Sequence, residues 1–173
     1  AVADLDRASS MAEGMLQESY RLMVRNLAQQ LREWSSLFVV GRGASYPLAL
    51  EAALKIKEGT YIHAEGFAGG ELKHGAIALI EPGSPCLALT PGDHTLKLML
   101  ASSAEVAARG GFVVGIGPER HDAFAQWLPV ADSGMATPLV QAIAFQLVAY
   151  ELALLRGIDP DRPRNLAKSV TVV

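Results

Sequence analysis

Three short runs, Phe38-Val39-Val40, Cys86-Leu87-Ala88-Leu89 and Phe112-Val113-Val114-Gly115-Ile116, are apolar at successive positions and are separated by turns and helical stretches. A strand with no polar alternation is buried on both faces, and strands joined through helices pair in parallel. The pattern predicts an α/β fold, a three-layer doubly wound parallel sheet with helices on both faces.

The rest of the chain is fitted around those strands. Residues 1–10 are small and polar and read as a linker or frayed end, and Met11 to Glu33 reads as one helix, so 1–34 is expected to be an N-terminal linker and helix. The core domain is expected over 35–157, with a C-terminal tail over 158–173. Gly41 and Gly43 form a tight turn after the first strand and bring backbone close to a ligand, and Pro47 suits the first turn of a helix over 47–58. Tyr61-Ile62-His63-Ala64 is read as a second strand, and 65–75 as an irregular, glycine-rich loop of the kind that carries chemistry. Further helices are expected over 96–109 and 137–156. Trp127 to Val130 is expected as an edge strand, because Pro129 lacks the N–H a central strand needs.

Composition excludes several classes. The 173 residues are half hydrophobic, enough for one buried core, and the net charge of −3 comes from interspersed charges of both signs. No basic patch marks a nucleic-acid partner and no amphipathic stripe marks a membrane surface. Cys86 is the single cysteine, so one chain forms no disulfide framework or thiolate metal site. Asp4 and Asp6 in the first seven residues do not resemble a secretory leader. A reducing, cytoplasmic setting is the expectation.

Doubly wound folds bind ligands beyond the carboxyl ends of their strands, which places 41–45 and 90–95 at the expected mouth. Ser45 and the threonines of 90–95 are candidate hydrogen-bond donors to a phosphate, although such residues also serve turns. Glu51, Lys55 and Glu58 share one helix face; an ordinary stabilising ion pair explains them, and so does a base at Glu58 beside an oxyanion-stabilising Lys55. His74, between Lys73 and Gly75, is the better placed histidine for acid–base work. Lys168 is either a solvated surface lysine or an imine-forming nucleophile. No zinc spacing and no complete dinucleotide or P-loop fingerprint occurs, so neither a metal nor a cofactor is expected.

Four stretches in order carry a resemblance: Tyr46 to Glu58 (YPLALEAALKIKE), Tyr61 to Glu65 (YIHAE), Gly70 to Gly75 (GELKHG) and Pro163 to Val172 (PRNLAKSVTV). They resemble the last sugar isomerase (SIS) domain of the glutamine–fructose-6-phosphate aminotransferases, over residues 35–173. The resemblance implies a flavodoxin-like sheet and conversion of fructose 6-phosphate, with ammonia from glutamine, to glucosamine 6-phosphate. It implies that Lys168 forms a Schiff base with the keto sugar, that Glu58 moves a proton between the first two sugar carbons, and that Lys55 stabilises the enolamine oxygen. It further implies that His74 opens the sugar ring from a neighbouring subunit, hence a homodimer. Arg164 and Ala167 lie in the matching tail as candidate substrate contacts, Arg164 with its role open.

The family's amino-terminal cysteine nucleophile and its first SIS domain, whose loops hold most of the sugar phosphate, have no counterpart in these 173 residues. The resemblance therefore implies a fragment or a separately encoded half. Two other readings share the same residues: a non-catalytic sugar-phosphate-binding module, and a related aminosugar-phosphate deaminase.

Overall fold

Along β1 (Ser36–Gly41), Leu37 and Val39 bury into one hydrophobic cluster while Phe38 and Val40 bury into another, as the two-residue strand period requires. The same division recurs on β3 (Pro85–Leu89) and β4 (Phe112–Gly117): Leu87, Leu89, Val114 and Ile116 join the first cluster, and Cys86, Ala88 and Val113 the second. The computed structural model, which describes residues 1–166, joins these strands with β2 (His63–Ala68) and β5 (Gln126–Pro129) in one sheet. Every pairing is parallel, and the order is β2-β1-β3-β4-β5. This is the three-layer doubly wound arrangement expected from the apolar runs, with the flavodoxin-like sheet that the resemblance implies. Pro129 lies on the edge strand, where its missing N–H costs nothing.

The first face of the sheet is covered by α1 (Val2–Met15), α2 (Glu18–Leu31), α3 (Ser45–Thr60) and α5 (Thr137–Leu155). The second is covered by α4 (Leu96–Ala107), through Met99 and Val106, and by the β2–β3 crossover. That crossover carries two 3₁₀ turns, Leu72–His74 and Ala76–Leu79, with Leu72 buried in the second cluster. The segment from Gly134 to Leu155 has a mean hydropathy of 1.6 over its most apolar window, and half of that window is buried. Its apolarity is accounted for by packing of Val140, Ala144, Phe145, Val148 and Leu152 on the core, each large side chain contributing about 1.5–3 kcal/mol.

Three expectations need correction. Residues 1–10 are helical, because Ala8 and Met15 bury against the domain and order an otherwise polar segment. The expected single helix over 11–33 breaks at Leu16-Gln17, where Gln17 is extended. Met15 and Tyr20 would lie about 140° apart on one straight helix. The break lets both reach the core, where each is buried. The second strand begins at His63 and continues through Glu65, Gly66 and Phe67, residues expected in the loop; it pairs with β1 from Ser36 to Gly41. Tyr61 closes α3 in the left-handed region instead (φ 59°, ψ 16°).

Candidate active site

On α3, Leu48, Ala49, Ala52, Ala53 and Ile56 are buried, and this forces Glu51, Lys55 and Glu58 outward on the remaining surface. Lys55 Nζ donates to Glu58 Oε2 at 2.7 Å and lies 3.6 Å from Glu51 Oε1. The hydrogen bond to Glu58 raises the Lys55 pKa above its usual value against the opposing effect of burial, so Lys55 is a cation throughout the neutral range. The pair lies in a cleft of about 230 Å³ whose other walls are Gln146, Ala149 and Tyr150 of α5 and Pro160, Pro163 and Leu166 of the tail.

The tail reaches this cleft by a specific contact. Arg164 donates its backbone N–H to the Tyr61 hydroxyl at 2.7 Å, and its guanidinium stacks 4.1 Å from the centre of the Tyr61 ring. Tyr61 holds this position at a cost, since the left-handed conformation is unfavourable for a side-chain-bearing residue by about 1–2 kcal/mol. Its N–H completes the helix cap by donating to the Lys57 carbonyl at 3.1 Å.

The cleft is at the amino-terminal edge of the sheet, away from the mouth expected beyond the carboxyl ends of the strands. Ser45 follows the carboxyl end of β1, whereas Glu58 is thirteen residues on, about 20 Å along the helix, next to the start of β2. Ser45 and the 90–95 loop instead border a separate cleft of about 350 Å³ with Asp93, Asp132 and Thr137. Several donors there already have partners, although the buried Thr90 hydroxyl has none among the described residues. Asp93 Oδ1 accepts from the Thr95 N–H at 2.7 Å and from its hydroxyl at 2.5 Å, and Asp132 Oδ1 accepts from the Gly134 N–H and the Thr137 hydroxyl, both at 2.9 Å. Two carboxylates make that mouth a poor phosphate cradle.

The Gly41–Gly43 turn is likewise used internally. A Cβ at Gly41 would come within 2.2 Å of the Ser45 carbonyl oxygen, so its missing side chain admits the first turn of α3 rather than a ligand; Gly43 is needed for its φ of +58°. His74 is exposed on the 3₁₀ turn whose Leu72 packs on the second face of the sheet, opposite α3. One chain therefore does not bring His74 to Glu58. Ala167 and Lys168 lie outside the described residues; Leu166, the last described residue, lines the cleft. Gln146 and Tyr150 are not among the expected site residues. Their signal is a polar pair four residues apart in a largely apolar helix.

Comparisons with known proteins agree with this architecture. The SIS domain family profile matches residues 30–156. The chain is 47% identical over 154 residues to a protein of Pyrococcus horikoshii named glutamine–fructose-6-phosphate aminotransferase [isomerizing], an alignment covering 86% of this chain and 25% of that protein. A protein of the same name from Tropheryma whipplei is 46% identical over 184 residues, covering 99% of this chain and 29% of the relative. The chain thus spans only about a quarter to three tenths of these curated relatives. A solved structure described as the C-terminal domain of glucosamine-fructose-6-phosphate aminotransferase from Francisella tularensis superposes with a TM-score of 0.81 at 32% identity, covering 92% of this chain and 46% of that one. With the parallel sheet, the element order and a family match over most of its length, the chain belongs to the SIS domain family.

Proposed function

We propose that this chain is the isomerase module of a glutamine–fructose-6-phosphate aminotransferase. In that role it converts fructose 6-phosphate, with ammonia supplied by glutamine hydrolysis elsewhere in the protein, to glucosamine 6-phosphate. The observation that carries this reading is the Lys55–Glu58 pair in a cleft walled by the tail that precedes Lys168. Isomerisation between a keto and an aldo sugar needs a base spanning two adjacent carbons and a cation for the negative charge that develops on oxygen. Two side chains three residues apart on one helix supply both from a rigid element.

In this reading Lys168 condenses with the carbonyl at carbon 2, with loss of water, and ammonia then displaces the lysine from the imine. The Glu58 carboxylate removes a proton from carbon 1, giving an enolamine, and returns it to carbon 2. Lys55 faces the oxygen on carbon 1. His74 opens the sugar ring from the second subunit of a homodimer, which its place on the opposite sheet face favours over action within one chain. The phosphate is held mainly by residues beyond this chain. Arg164 and Ala167 are assigned to the tail side of the substrate site.

The test is Glu58→Gln in the natural full-length protein. Exchange of the carbon-1 hydrogen with solvent should fall at least about a hundredfold while the Schiff base at Lys168 still forms and the thermal midpoint is kept. Near-normal exchange would reduce Glu58 to a structural partner of Lys55.

A further inference from the structure

The corner that follows Glu58 is built around a residue that backbone geometry alone would not select. Tyr61 occupies the left-handed cap position where glycine is favoured, and its N–H already completes the cap through the Lys57 carbonyl, a bond glycine would make equally well. The side chain must therefore serve something else. The neighbouring residues fix its direction: Thr60 and Ile62 are buried, and the Thr60 hydroxyl donates to the Ile56 carbonyl at 2.6 Å and accepts the Ile62 N–H at 3.2 Å. With both sides anchored, the ring projects to where Arg164 lies over it and bonds its hydroxyl.

We propose that Tyr61 is a positioning residue of the candidate active site. Acting through Arg164, it holds the 158–166 segment as the wall of the Lys55–Glu58 cleft. The cleft role rests on the function proposed above, whereas the latch itself does not. Tyr61 is three residues beyond Glu58 at the end of the same helix, so one rigid corner sets the separation of wall and carboxylate. The two contacts are chemically distinct. The guanidinium stack orients the Arg164 side chain, and the hydroxyl fixes the backbone between Pro163 and Leu166, both of which line the cleft.

Because glycine suits the cap, Tyr61→Gly separates latch from fold. In this chain, the wild-type Arg164 δ protons should be shifted upfield by the Tyr61 ring current. In Tyr61→Gly that shift should vanish and the Arg164 amide should exchange at least about tenfold faster, with the thermal midpoint unchanged or raised. Tyr61→Phe should keep the ring-current shift but lose the amide protection, and Arg164→Ala should free the tail with Tyr61 intact, so the test survives a poorly folding glycine variant. In the natural full-length protein, Tyr61→Gly should lower turnover by about tenfold or more, and Tyr61→Phe, which keeps the stack but loses the hydroxyl bond, should fall between Tyr61→Gly and wild type. Unshifted δ protons in the wild type, wild-type exchange in Tyr61→Gly, or wild-type turnover with the latch open would each overturn the proposal. A failed Glu58→Gln test would remove the chemistry while leaving the latch measurements intact, so the two failures are distinguishable.

Discussion

Arg21 Nη2 donates to Glu151 Oε1 at 2.9 Å, joining α2 to α5 across 130 residues of sequence. Arg25 Nε bonds the other carboxylate oxygen at 3.2 Å, and the Glu151 side chain is only 4% exposed. The residues that precede the family match at residue 30 are thereby tied to the longest core helix.

Burial pushes the Glu151 pKa up, but the hydrogen bonds from Arg25 and Arg21 outweigh it and leave the group below its usual value. A depressed carboxylate stabilises the fold above the pKa of the unfolded chain, about 4.3. That contribution is lost as pH falls through the folded value. Glu151→Gln should lower the unfolding free energy by about 1–3 kcal/mol at pH 7. Urea titrations should show the deficit shrinking once pH drops below about 4.3. A deficit that is constant between pH 7 and pH 3 would contradict the ion-pair account.

Glycines at two sites should respond in opposite directions. Gly14 is inside α1, and a Cβ added there would have nothing within 4 Å, so Gly14→Ala should stabilise by about 0.5–1 kcal/mol. At Gly41 the added Cβ meets backbone at 2.2 Å, and neither β1 nor the start of α3 can shift cheaply. Gly41→Ala should destabilise by about 3 kcal/mol or more, read from the thermal midpoint.

If His74 acts across a two-fold interface, full-length proteins carrying His74→Ala and Glu58→Gln should each be inactive alone and complement when mixed. After subunit exchange at equal concentrations, about half the dimers are mixed and each has one intact site, restoring about a quarter of wild-type activity. No recovery, with exchange verified by native mass spectrometry, would place His74 within its own chain's site or outside the chemistry.

The mouth bordered by Ser45 carries Asp93 and Asp132, and the cation lining the Lys55–Glu58 cleft among the described residues, Lys55, is already paired with carboxylates. The chain alone should therefore bind fructose 6-phosphate weakly. Titration calorimetry should give a dissociation constant near millimolar or weaker, about −4 kcal/mol. Micromolar binding, about −8 kcal/mol, would show that these residues hold the phosphate themselves.

The strand core and the Lys55–Glu58 pairing were legible in the sequence because both depend on local periodicity. Runs such as Phe38-Val39-Val40 bury on both faces whatever the helices do, and residues three apart on a helix meet because of its pitch. Position along the sheet was not local information. Glu58 belongs to the amino-terminal edge because α3 runs back from the end of β1 to the start of β2, a reversal that no residue of the YPLALEAALKIKE motif encodes by itself. The break between α1 and α2, the extension of β2 through Phe67 and the place of His74 opposite α3 likewise follow from which surfaces must be buried together. The tail is the clearest case. The sequence leaves the role of Arg164 in the tail open, and only the folded chain brings it over Tyr61, 103 residues earlier. A contact of that separation depends on the whole fold closing the loop between the two residues, and the sequence around either one does not specify it.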